Sequence, residues 1–111
     1  MSDCRCMSPP FRYEDFDSAA VGVDETNGRF GQVSIETCKA CGARWLRYFV
    51  EYEDTPRSGR WYRGRVSAEA AAAVTPETAV TALQGLEWRF AGGSYFESLG
   101  FRSKGPVVVD A

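Results

Sequence analysis

Two short cysteine pairs, Cys4-Arg5-Cys6 and Cys38-Lys39-Ala40-Cys41, set the strongest constraint on how this chain folds. They are its only cysteines, and the chain has no histidine. Four sulfurs close a tetrahedral zinc site, with bonds of about 2.3 Å and no open position for substrate. The expectation is one structural zinc ion held by Cys4, Cys6, Cys38 and Cys41, tying an N-terminal arm to the body of the fold. Four thiolates around a divalent cation leave an excess of negative charge. Arg5, Lys39 and Arg44 lie beside the ligands in sequence, placed to offset it.

The second pair opens the stretch Cys38-Lys39-Ala40-Cys41-Gly42-Ala43-Arg44-Trp45. Two intervening residues let the chain curl around one ion, and a glycine after the second cysteine adopts a left-handed turn conformation cheaply. Over residues 36–46 the chain resembles a zinc knuckle of the zinc-ribbon group, and that resemblance implies metal binding. The first pair departs from the pattern, because a single residue between Cys4 and Cys6 makes a tighter bite. Competing uses of the same sulfurs are two disulfides, a redox switch that releases metal on oxidation, and an iron–sulfur cluster. The first twenty residues carry no apolar run of the secretory kind. A cytoplasmic chain is therefore expected, and reducing surroundings favour metal over disulfides.

At 111 residues the chain is expected to form a single domain (1–111), with a modest core that a metal staple would help. Hydrophobic residues at 44% and charged residues at 25% suit a folded chain, and no apolar stretch is long enough to span a bilayer. The formal charge of −2 is unevenly spread. Residues 39–65 carry seven basic side chains against three acidic, whereas the segments on either side are net acidic.

Along the chain, Phe11–Phe16 reads as a short strand, Asn27-Gly28 as a hairpin turn, and Phe30–Thr37 as a strand leading into the knuckle. The clearest strand signal runs from Ala43 to Glu53. Leu46, Tyr48, Val50 and Tyr52 fall on one face, and Trp45, Arg47, Phe49 and Glu51 on the other. The turn residues Asp54–Gly59 predict an antiparallel return over Arg60–Val66, with Trp61 and Tyr62 opposite the aromatics of the first strand. Ser67 caps a helix over Ala68–Val74; Thr75 and Pro76 restart it, with Ala79, Val80, Leu83 and Leu86 as its apolar face. Leu86–Phe90 is strand-like, the glycines at 92, 93 and 100 mark loops, and Val107–Val109 reads as a final strand. The expected class is α+β: an antiparallel sheet with one helical segment, joined to the N-terminal arm by a four-cysteine zinc knuckle.

The missing chemistry narrows the function classes. Without histidine, the usual Ser–His and Cys–His nucleophilic arrangements and a histidine-ligated catalytic zinc are excluded. The glycines form neither a dinucleotide fingerprint nor a Walker loop. The acidic cluster Glu14, Asp15, Asp17 shows no paired geometry for acid–base work, so the chain is expected not to be an enzyme. The leading expectation is a zinc-stabilised domain that binds another protein. Its candidate surface is Trp45, Arg47, Tyr48, Trp61, Tyr62 and Arg63, the residue types enriched at binding hot spots. A second reading uses the basic, aromatic hairpin 44–65 to bind nucleic acid. A third, resting on size and charge alone, is a small acidic bacterial toxin-neutralising protein of the immunity type.

Overall fold

In the computed structural model, which describes residues 4–110, six strands form one antiparallel sheet. They are β1 (Phe16–Asp24), β2 (Gly31–Cys38), β3 (Arg44–Val50), β4 (Arg60–Val66), β5 (Arg89–Gly93) and β6 (Ser98–Ser103), each beside its neighbour in sequence. Two short helices, α1 (Ala68–Ala73) and α2 (Ala79–Gln84), occupy the β4–β5 connection. An antiparallel sheet with one helical region is what the sequence pattern predicts.

The register explains why the central hairpin is the best-patterned part of the chain. Tyr48 lies opposite Tyr62 and Phe49 opposite Trp61, so aromatic pairs face each other on both sides of the sheet. The first face holds the larger core, built on Val33, Leu46, Tyr48, Val50, Tyr62 and Ala91. It is covered by Ala79 and Leu83 of α2 and by Val107 and Val109 near the C-terminus. Gly64 lets α2 approach: a Cβ there would meet side-chain carbons of Leu83 and Leu86 at 2.8 and 2.3 Å. The helical segment starts where its caps demand. The Ser67 hydroxyl accepts from the Ala70 N–H at 3.0 Å, and Thr75 and Thr78 form a capping box around Pro76. Arg89, fully buried, donates to the Leu83 carbonyl at 3.3 Å and to Gly105 O, joining the end of α2 to the C-terminal segment.

Three expectations about strands are corrected. Phe11–Phe16 is not a strand: Tyr13–Asp15 forms a 3-10 turn, and β1 begins at Phe16. β1 itself (Phe-Asp-Ser-Ala-Ala-Val-Gly-Val-Asp) is too rich in small residues to alternate, and its pairing with β2 makes it a strand. Gly92 and Gly93 end β5 rather than lying in a loop, because Trp61 packs where a Gly92 Cβ would be. Val107–Val109 joins no ladder. Its backbone is held by side chains instead: Gln84 accepts from Val107 N–H, the Tyr62 hydroxyl accepts from Val108 N–H, and the Tyr52 hydroxyl donates to Val109 O.

One buried carboxylate fixes the β1–β2 turn. Asp24, at 0% exposure, accepts from the Tyr48 hydroxyl at 2.7 Å, from Thr26 N–H at 3.1 Å and from Arg29 at 3.2 Å. Burial alone would raise its pKa; these donors outweigh that and hold it below the ordinary 3.8. A depressed folded pKa stabilises the protein above the unfolded value, and the gain is lost as pH falls through the folded one. Asp24→Asn is expected to cost about 1–3 kcal/mol at neutral pH. The gap to the parent protein should close at acidic pH in denaturant titrations, and a gap independent of pH would contradict this account.

No helix among the described residues is long and apolar enough to cross a membrane.

Candidate metal centre and the adjoining groove

Two tight turns bring the cysteines together. Cys4 precedes a 3-10 turn over Arg5–Met7, with Met7 N–H donating to Cys4 O at 2.9 Å, so the single-residue spacing is accommodated by a helical curl. Cys38 ends β2, and the Cys38–Cys41 knuckle is the β2–β3 connection. Gly42 N–H donates to Cys38 O, and Cys38 N–H to Ala43 O, both at 2.8 Å. Gly42 takes φ +77°, the left-handed conformation expected of it. Lys39 N–H reaches across to Asp15 O at 2.9 Å and fixes the start of β1 against the knuckle.

All four sulfurs lie within 4.8 Å of one another. Cys4 and Cys38 Sγ are 3.5 Å apart, Cys6 and Cys41 Sγ 3.6 Å, and all four are free thiols. A disulfide needs about 2.05 Å between sulfurs. A tetrahedral ion with bonds of about 2.3 Å needs its ligands roughly 3.8 Å apart, close to what is seen. The set can hold a metal ion. Cys6 and Cys38 are buried, Cys4 is half-buried and Cys41 is exposed.

Burial of the sulfurs disfavours a bare thiolate, so charge there calls for a cation. Burial pushes the Cys6 thiol up to about 12, with hydrogen bonds among the four cysteines adding to the rise and the Trp45 indole N–H opposing it. Trp45 is 0% exposed, and its indole N–H meets no hydrogen-bond partner within normal limits. Trp45 shares the buried cluster of Cys6, where its indole N–H favours the thiolate form of that sulfur. Arg63, 5% exposed, is the cation embedded beside the centre. It pairs with Glu36 and lies over the rings of Phe11 and Phe16, which pack with Cys6 and Cys38, at 4.9 and 4.5 Å. Arg5, Lys39 and Arg44 are exposed, and Arg5 pairs with Asp15 at 3.2 Å. The sequence pattern pointed to these three and missed Trp45 and Arg63 as neighbours of the sulfurs. Only the β3–β4 register, which places Trp45 opposite Arg65 and Arg47 opposite Arg63, reveals them.

The same register redistributes the proposed partner surface. Trp45, Tyr48 and Tyr62 lie inside the protein, where a partner cannot touch them; Arg63 is buried but lines the edge of a groove, and Arg47 and Trp61 are half-buried. Tyr48 and Tyr62 belong to the first face, the others to the second. The basic hairpin is likewise not one surface. Arg60 and Arg63 are buried, and Arg57 pairs with Glu97. Arg44 and Arg65 are one residue out of phase, so they point to opposite faces.

On the second face, beyond the sulfurs, lies an open groove of about 500 Å³. Phe11 and Trp61 line it, their rings 5.7 Å apart, with Arg47 and Arg63 on the sheet and Leu99 and Glu97 on the rim. Arg47 also lines an adjoining hollow of about 360 Å³ over β1 and β2. Comparison with protein-family models, curated proteins and solved structures gave no match.

Proposed function

We propose that this chain is a zinc-stapled, non-catalytic domain that acts by binding another protein. The convergence of four thiols at tetrahedral spacing carries the reading. Zinc suits four sulfurs that meet at a single point, whereas an iron–sulfur cluster would spread them around its own inorganic core. A site filled by four thiolates has no position for substrate, so the ion's contribution is to folding.

Three of the acidic side chains near the start of the chain are held by local partners. Asp24 is enclosed by Tyr48, Thr26 and Arg29, Asp15 pairs with Arg5, and Glu14 pairs with Arg12 at 3.1 Å. What remains open on the second face is a surface of recognition character: an aromatic pair, an unpaired arginine and an exposed leucine. Protein purified without added metal is expected to carry about one zinc per chain by elemental analysis. Zinc well below that ratio, with all four thiols titratable, would count against the staple. Crosslinking to a cellular protein that is weakened by Trp61→Ala supports the binding reading, and capture indifferent to that substitution opposes it.

A further inference from the structure

Arg47 and Arg63 face each other directly across β3 and β4. Like charges in directly opposed positions destabilise a sheet. Glu36 pairs with Arg63, and its charge also acts on Arg47. Among the described residues Arg47 has no ion pair or hydrogen bond and only stacks on Phe49, 5.5 Å to the ring centroid. Arg63 is 5% exposed, yet its Nε and Nη1 have no partner. The groove is therefore lined by two guanidinium groups, of which Arg63 is paired with Glu36 and Arg47 has no ion pair among the described residues. Breaks of a local rule of this kind are expected at functional or strained positions.

We infer that the groove is a carboxylate-binding site, and that the partner protein supplies an acidic side chain flanked by apolar ones. The inference rests on the protein-binding reading above and specifies its chemistry. Guanidinium groups present forked donors that match a carboxylate, and an anion between Arg47 and Arg63 would relieve their repulsion. Trp61, Phe11 and Leu99 offer apolar contact on either side of the charge. A polyphosphate strand fits less well: Arg47 is the single uncommitted cation at the groove, and Glu36 and Glu97 stand beside it.

The test uses the zinc-loaded full chain, isotope-labelled for resonance titration. It is read at the Arg47 and Arg63 side-chain N–H groups and the Trp61 indole. Three probes are added separately: N-acetyl-Leu-Glu-Leu-amide, the same peptide with glutamine at the centre, and single-stranded oligothymidylate. The glutamate peptide is expected to shift these resonances saturably, with the glutamine peptide about tenfold weaker. Arg47→Gln should abolish the difference between the two peptides while keeping zinc content and melting temperature. Equal responses to both peptides, no saturable response at the groove, or tighter binding of oligothymidylate would overturn the inference. A cellular partner still crosslinked by Arg47→Gln would remove the carboxylate role and leave protein binding standing.

Discussion

The double variant Cys38→Ser, Cys41→Ser is expected to be unfolded or aggregated under conditions where the parent chain is folded. Structural zinc of this type contributes on the order of 10 kcal/mol to folding, comparable with the whole stability of a small domain, about 5–15 kcal/mol. The damage would not stop at the ion. Cys6 and Cys38 are part of a buried cluster with Phe16, Ala43, Trp45 and Phe90, so releasing the arm also opens the second face of the sheet. A strong chelator added to the parent protein should reproduce the loss, and zinc should restore the fold. Circular dichroism and thermal melting are sufficient readouts. A double variant that melts within a few degrees of the parent would show that the cysteines are not a staple.

Trp45→Ala is the second large effect. The side chain is fully buried and packs on Phe90, ring centroids 5.8 Å apart, and truncating a buried tryptophan costs about 3–5 kcal/mol. Its indole N–H also favours the Cys6 thiolate, and losing that support is expected to weaken metal binding roughly 10–100-fold. Trp45→Phe separates the two contributions, since it keeps most of the packing and removes the donor. Denaturant unfolding of the metal-loaded proteins reads the first contribution, and competition with a coloured chelator the second. If the phenylalanine variant holds its metal as tightly as the parent, the indole contributes packing alone.

The parts of the fold that follow from local chemistry were visible in the sequence. The Ser67 and Thr75 caps, the alternation of β3 and the return over Arg60–Val66 all act within a few residues of themselves. The cysteine set was visible for a different reason: thiols at paired spacing have few other uses in one chain. β1 and β6 were hidden because neither has a periodic pattern of its own; each is completed by the strand beside it. The partner surface was misplaced because alternation tells which residues share a face but not whether that face is covered. Trp45 and Arg47 are on the same side of β3. The arm and the cysteine cluster cover the first, while the second lies at the open groove.

The order of the strands also sets a schedule for reaching the native state. Since each strand sits beside the one before it in the chain, every ladder forms between nearby segments, with little entropy lost in closing the intervening loop. The β4–β5 step, which spans both helices, is the longest of these closures. The contact between Arg29 and Asp110 spans 81 residues, and that between Cys4 and Cys38 spans 34. Zipping of the meander is expected to be quick, and the two termini seal onto it afterwards, one through a salt link and the other through sulfur.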